Sequence, residues 1–219
     1  TRAYSVTGVQ TCALPIFDGL KALESKALKE NLPRLWEARA KMEQIRVHLA
    51  AGKPQDGATL VGSTAKTLDE ITPKTPEVEA LNLGLKGLEG TILVETKDYN
   101  GALRFFQRLL EQGKDQKNKA YLAAAHLGMG ETYLARGSAA NSSQDLRLAQ
   151  LSFAQAYVLD GEDGERSAQA LYLQAETLRL LGPERAGQEA AGLSKDLYRQ
   201  VVTQFGASDW AAAARKKMN

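Results

Sequence analysis

The second half of the chain partly repeats itself when it is shifted by 45 residues, since Glu131 then falls on Glu176 and Phe153 on Tyr198. A repeat of this length is typical of a pair of helices, and one pair cannot bury its apolar face unless neighbouring pairs stack against it. The offset therefore predicts a stack of helix hairpins. Further pairs follow the same offset: Thr132 with Thr177, Gly137 with Gly182, Leu148 with Leu193, Ala149 with Ser194, and Gly161 with Gly206.

The residue composition favours helices over strands. Hydrophobic residues make up 43% of the chain but aromatic residues only 6%, and the frequent Ala and Leu lose little conformational freedom in a helix. No apolar run approaches the roughly 20 residues that a membrane-spanning helix needs. The formal net charge is +2, with acidic and basic residues interspersed, which is not the basic bias of a nucleic-acid-binding protein. We expect an all-α protein without a membrane span or a nucleic-acid partner.

The first sixteen residues differ in character from everything that follows. They hold several β-branched residues, the only cysteine of the chain, Cys12, and a single charge, on Arg2. The run VTGVQTCALPI, residues 6–16, resembles the translation of a common sequencing-library adaptor. We therefore predict that residues 1–16 are a non-native, disordered segment and that the true N-terminus is missing. The alternative is a native N-terminal arm, either disordered or strand-like.

Residues 17–75 are predicted to form N-terminal helices that include a degenerate hairpin. Apolar residues at spacings of three and four mark one face of a helix. Gly52 is expected to end that helix, the run 53–57 to form a turn, and a second helix to extend over 58–71, before Pro73. The residues of the apolar face are Leu35, Ala38, Met42, Ile45 and Leu49.

Residues 76–219 are predicted to be a helical repeat array that ends in a capping helix. The connections are short, which favours antiparallel neighbours. After a first helix that carries Val78, Leu81, Leu85 and Leu88, helices are expected at about 102–112, 119–136, 143–159, 165–181, 186–205 and 208–217, with loops at 113–118, 137–138, 161–164 and 182–183.

Small and aromatic residues alternate along this array at Gly90, Ala102 and Phe106, then at Gly130, Tyr133, Ala149, Phe153 and Ala156, then at Ala175 and Tyr198. This pattern resembles the tetratricopeptide repeat (TPR) family. In that family the small residues let two helices approach closely, and the large ring fills the gap to the next hairpin. Generic α-solenoids share much of the pattern and are the alternative.

The three hairpins differ in length. Gly90 and Ala102 are 12 residues apart, as in the compact hairpin of the family, whereas Gly130 and Ala149 are 19 apart. The extra residues are expected in longer helices or in loops at 137–144 and 182–188. Residues 197–218 resemble the closing repeat and cap of bacterial TPR proteins, including periplasmic envelope-assembly factors, although Gly206 stands where those proteins usually have proline.

The resemblance implies a right-handed α-solenoid whose first helices line a concave groove for a peptide or protein segment. In the family, the groove residues of each first helix face away from its partner helix. Carried over to this sequence, they are Gly84, Gly87, Thr91 and Val94, then Ala124, Leu127, Glu131 and Leu134, and then Gln169, Tyr172, Glu176 and Arg179.

The predicted function is a non-catalytic protein–protein interaction scaffold. The alternative is a structural helical-repeat part of a larger, N-terminally truncated bacterial protein of the envelope or a secreted one. Both the cytoplasm and the periplasm stay open, and self-association through an exposed terminal hairpin is a further option.

No sequence motif indicates an enzyme, a cofactor or a metal site. Gly128 and Gly130 lack the preceding strand and the third glycine of a phosphate-binding loop. His48 and His126 have no His or Cys one helical turn away, as a zinc site in a helix would require. The basic end at 215–217 is interpreted as a complement to the dipole of the last helix.

Overall fold

The computed structural model describes residues 34–71, 74–161 and 164–218. All regular secondary structure in these ranges is helical and no strand occurs in them, which confirms the predicted all-α class. None of the described helices is both long and apolar enough to cross a membrane. The predictions for residues 1–16, for the chain up to Pro33 and for Pro73 lie outside the described residues.

The described residues form nine helices, numbered α1 to α9 in chain order. The chain divides into two compact units, the first ending at Thr96 and the second beginning at Lys97. Helices α1 to α3 belong to the first unit and α4 to α9 to the second. Their bounds are Arg34–Ala50, Pro54–Asp69, Pro76–Glu95, Tyr99–Asp115, Lys119–Ala140, Ser143–Asp160, Glu165–Ala186, Ala190–Gln204 and Asp209–Met218.

The first unit is a three-helix cluster. The predicted apolar face of α1 is buried in it, and Leu35 and Leu49 are partly buried at its two ends. Gly52 ends α1 with a φ of +68°, a conformation that glycine adopts without steric strain. The buried core residues are Ala38, Met42, Ile45, Leu68, Val78, Leu85 and Ile92.

The predicted turn at 53–57 is wrong, because α2 already begins at Pro54. Proline suits the first position of a helix, where its fixed φ is helical and its missing N–H has no intrahelical partner to lose. Gly57, a second residue of the supposed turn, is buried in α2, where an added Cβ would lie 3.5 Å from Cγ2 of Ile45.

Polar side chains define where α4, α5 and α6 begin. A carboxylate oxygen of Asp98 accepts a hydrogen bond from the N–H of Gly101 at 2.9 Å. The side chain of Asn118 accepts one from the N–H of Ala120 at 3.0 Å, and the Ser142 hydroxyl caps α6 in the same way. Such caps satisfy backbone donors that a helix leaves without partners.

The predicted loop at 137–138 is also wrong, because α5 continues to Ala140 and has 22 residues. The helix ends instead at Asn141, whose φ is +52°, and the N–H of Ser142 bonds to the Gly137 carbonyl at 2.9 Å. Gly137 lies inside the helix because α6 approaches there: an added Cβ would lie 3.1 Å from the backbone nitrogen of Leu146. The extra residues of this hairpin therefore lengthen a helix.

A predicted break in the chain is present at Gly182. This residue has a φ of +67° and interrupts α7 directly before Pro183. The following helix, α8, begins at Ala190, four residues later than predicted, after Gly187 with a φ of +90°.

Close contacts between glycines and aromatic rings form the core of the second unit. An added Cβ at Gly128 of α5 would lie 2.1 Å from ring carbons of Phe106, and one at Gly130 would lie 2.6 Å from the ring of Phe153. Both rings are almost completely buried. The ring of Phe106 from α4 thus packs on one side of α5, and the ring of Phe153 from α6 packs on another side.

Alternate helices of the second unit also touch one another. Each helix from α4 to α9 packs on the next one in sequence, and α5 in addition contacts α7, while α7 contacts α9. Tyr157 of α6 likewise accepts a hydrogen bond from Gln200 of α8 at 3.2 Å. The described part of this unit is therefore a repeated helix packing.

Adding a methyl group at the glycine–ring contacts tests their importance. We expect Gly128→Ala and Gly130→Ala each to lower the free energy of unfolding by about 1–3 kcal/mol, because a buried ring must move. Gly192→Ala is the matched control, since nothing lies within 4 Å of its added Cβ. We expect it to be neutral or to gain up to about 1 kcal/mol in helix propensity. Urea denaturation measures all three, and equal stabilities would contradict the tight packing.

Candidate functional site

The predicted groove residues divide between the two units. Thr91 and Val94 lie on α3 of the first unit, half-buried, and the Thr91 hydroxyl donates to the Gly87 carbonyl at 3.0 Å. The eight predicted groove residues of the second unit lie on α5 and α7.

Helix α7 contacts both α5 and α9, and we use the name shared face for a set of residues on these three helices. Its α5 edge has Ala124, Leu127, Glu131 and Leu134 at spacings of three and four, which places them on one side of the helix. Leu127 is 9% exposed, and Ala124 and Leu134 are half-buried. The complete shared face consists of these four residues together with Gln169, Tyr172, Glu176 and Arg179 of α7 and Trp210 and Lys217 of α9.

A polar bridge connects α5 to α7 on this face. The Nε2 of Gln169 donates to Oε1 of Glu131 at 2.6 Å. The two predicted groove residues are therefore brought together across neighbouring helices. An amide that donates to a carboxylate makes a charge-assisted hydrogen bond, so this contact fixes the register of α7 against α5.

A buried carboxylate connects α7 to both of the helices that follow it. Glu176 is only 3% exposed. Its Oε2 accepts from Nη2 of Arg179 at 2.9 Å, and its Oε1 lies 3.0 Å from Nζ of Lys217. The hydroxyl of Tyr198 also donates to Oε1. Three helices thus meet at one carboxylate, which we call the Glu176 node.

The donors around Glu176 decide its protonation. Burial by itself would raise the pKa of this carboxyl, but the hydrogen bonds from Arg179, Tyr198 and Lys217 together hold its pKa below the ordinary value of 4.5. Burial, and after it the bond to Glu176, raises the pKa of Tyr198 well above its usual range. Glu176 is therefore ionised and Tyr198 neutral at pH 7.

Aromatic rings enclose the same region from the α9 side. The ring centroid of Tyr172 lies 5.6 Å from that of Tyr198 and 5.3 Å from that of Trp210. Tyr172, one of the predicted groove residues, is thus half-buried against two rings. Contacts of this kind stabilise packing by more than the area they bury.

Sequence analysis missed Trp210 and Lys217 as members of this face. Both were assigned to a capping helix, and the basic end was interpreted only as a complement to the helix dipole. A signal for their role is present, since the two residues are seven apart and so lie on the same side of α9. Tyr198 was expected to pack, but its hydroxyl contact with Glu176 has no signature in the sequence.

A concave region lies between α5 and α6. It is lined by His126, Ala154, Gln155, Val158 and Leu159. Burial, and then the nearby ammonium of Lys114, lowers the pKa of His126, so that the ring is neutral at pH 7. The lining offers one titratable side chain, which is too little for paired acid–base chemistry.

Removing the charge at the Glu176 node tests its contribution to stability. We expect Glu176→Gln to lower the free energy of unfolding at pH 7 by about 1–3 kcal/mol, because the buried network loses its negative charge and one of its two acceptor oxygens becomes an NH2 donor. The depressed pKa means that this stabilisation is present above the unfolded value near 4.5 and is lost as pH falls through the folded value.

The difference in unfolding free energy between wild type and Glu176→Gln should therefore narrow once the pH falls below about 4.5, in denaturation curves recorded at several pH values between 7 and 3. Asp196→Asn is the control, because the Asp196–Arg199 pair is about 60% exposed on both sides. We expect a change of less than about 0.5 kcal/mol for it. A gap that stays constant with pH would contradict the ionised node.

Comparison with known proteins gives no match, whether with family models, with curated proteins or with solved structures. The functional interpretation of the shared face therefore rests on the residues of this chain.

Proposed function

We propose that the second unit is a non-catalytic scaffold that binds a peptide or protein segment along the shared face. In this proposal, α4 to α9 are TPR-like hairpins of a right-handed α-solenoid, and the shared face is its concave side. The observation that carries the proposal is the pair of polar bridges, Glu131–Gln169 and Glu176–Lys217, which hold α5, α7 and α9 side by side.

A preformed surface of this kind suits segment binding. The two bridges and the ring contacts of Tyr172 fix the shared face before any partner arrives, so binding orders few protein side chains and loses less entropy. Ala124, Leu134 and Gln169 are half-buried, and Arg179 is exposed. A binding segment would thus meet both apolar and polar contact points.

Thr91 and Val94 enter the proposal only through the family resemblance.

The second candidate function is a structural part of a larger assembly. Exposed apolar side chains on α6 and α8 favour it: Leu151 is 57% exposed, Val158 77% and Leu193 51%. Neighbouring exposed apolar residues often mark an interaction surface. Leu151 and Val158 lie seven residues apart on α6 and could pack against another chain segment.

Blocking the shared face separates the two candidates. Wild type, Ala124→Arg and Leu151→Arg are each panned against a bead-displayed library of random dodecapeptides. We expect Ala124→Arg to reduce peptide recovery by about tenfold or more, because its long charged side chain occupies the face, and Leu151→Arg to leave recovery unchanged. Circular dichroism melting verifies the fold of each variant. Equal recovery with wild type and Ala124→Arg would contradict binding at the shared face.

A further inference from the structure

We propose that this protein pairs with a second copy of itself through α6, with the α6 helices of the two copies packed antiparallel. The contact surface, which we call the α6 face, consists of Leu151, Ala154, Gln155 and Val158. None of these residues belongs to the shared face. The inference is therefore independent of the peptide-binding proposal and can fail while that proposal stands.

The α6 face is exposed, apolar and uncharged. Leu151 is 57% and Val158 77% exposed, and their spacing of seven residues places them on one side of the helix, with Ala154 and Gln155 between them. From Leu148 to Leu159 the chain has twelve residues and no charged side chain. Exposed apolar side chains that lie together often mark an interaction surface. Because the face has no charge of its own, it can also meet an identical face without repulsion.

The α6 face combines a projecting side chain with a hollow. Leu151 projects near its N-terminal end, and the concave region between α5 and α6 opens towards its C-terminal end. That region has a volume of about 380 Å³, and three of its lining residues, Ala154, Gln155 and Val158, belong to the face. A cavity of roughly 150 Å³ already holds a benzene-sized group, so the hollow has room for a leucine side chain.

Two-fold symmetry lets each copy fill the hollow of the other. When the symmetry axis passes between Ala154 and Gln155, Leu151 lies as far before the axis as Val158 lies after it. Leu151 of one copy then faces Val158 of the other, beside the hollow. The small side chain of Ala154 lets the helices approach closely at the axis. The exposed amide of Gln155 is both donor and acceptor, so it can pair with its own counterpart.

A second copy fits the α6 face better than an unrelated segment does. An isologous contact needs one surface that is complementary to itself. The face meets this requirement, because the projection and the hollow recur in the second copy at the same spacing and in reverse order. An unrelated segment would need both features at the matching separation.

The charges of α6 favour the antiparallel direction. Asp145 and Asp160 are only 13% and 11% exposed, and each pairs with an arginine. Arg147 is exposed and lies one turn before Leu151, on the side of the α6 face. A parallel pair in register would place the two Arg147 side chains next to each other. In the antiparallel pair they are about 22 Å apart along the helices, and each lies at the C-terminal end of the other α6, where the helix dipole is negative.

The size of the contact sets its strength. Twelve helical residues extend over about 18 Å, so a pair of such faces buries much less than the roughly 1,600 Å² of a typical stable complex. We therefore expect a reversible dimer with a dissociation constant of about 10–100 µM.

Sedimentation equilibrium of the full chain tests the dimer at concentrations that bracket this constant, with a reductant present to keep Cys12 from forming disulfides. We expect Leu151→Arg and Val158→Arg each to weaken dimerisation by about tenfold or more, because a charged side chain would be buried against an apolar one. Leu193→Arg is the matched control, since Leu193 is 51% exposed but lies on α8, and it should leave dimerisation unchanged. Circular dichroism melting verifies the fold of each variant.

Two results of this experiment would overturn the inference. One is a wild type that stays monomeric over the whole concentration range. The other is a dimer that persists in Leu151→Arg and Val158→Arg, or that Leu193→Arg alone disrupts, since the contact would then lie elsewhere.

Disulfide cross-linking tests the direction of the helices without altering Leu151 or Val158. In a Cys12→Ser background, which removes the only native cysteine, Gln155→Cys lies close to the symmetry axis and should give covalent dimers on oxidation. Arg147→Cys should not, because its counterpart is about 22 Å away along the helices. Cross-linking of Arg147→Cys but not of Gln155→Cys would overturn the antiparallel assignment.

Discussion

The absence of a side chain at two positions of α5 determines how closely the helices of the second unit approach one another. Gly128 and Gly130 lie on nearly opposite sides of the helix. Gly128 leaves room for the buried ring of Phe106 from α4, and Gly130 for that of Phe153 from α6. Glycine lowers the intrinsic stability of a helix by about 1 kcal/mol. The dispersion and burial gained when a phenyl ring packs against bare backbone exceed that loss. These contacts hold α4 and α6 against α5, the helix whose Glu131 accepts the hydrogen bond from Gln169 on the shared face.

The Glu176 node adds a different kind of constraint, because it is directional. Burying a carboxylate is unfavourable unless donors replace the water it gives up. Arg179, Tyr198 and Lys217 supply those donors from three helices. An apolar contact in the same place would tolerate a slide of α9 along α7, whereas the hydrogen bonds specify one register. The node therefore determines position more than it contributes to stability.

The sequence allowed the helices to be predicted better than their ends. The face of α1 followed from apolar spacing alone, since a period of 3.6 residues is local information. Pro54 and Gly137 were misassigned to turns, because both residue types also occur within helices when the context requires it. For Gly137 that context is the approach of α6, which is a tertiary contact and leaves no local pattern. The Glu131–Gln169 bridge joins two residues that the sequence predicts to line the groove. The contact of Lys217 with Glu176 depends on how α9 packs against α7, which the spacing of residues within α9 does not reveal.

The distribution of tryptophan between the two units has a practical consequence. The chain has two tryptophans: Trp36 on α1 of the first unit, 53% exposed with Arg39 over its ring, and Trp210 on α9 of the second, packed against Tyr172. Each unit thus carries its own intrinsic fluorophore, in surroundings of different polarity. With Trp36 replaced by Phe, the emission of the remaining indole follows the docking of α9 alone. The tryptophan fluorescence of each unit can therefore be used to follow the unfolding of that unit separately.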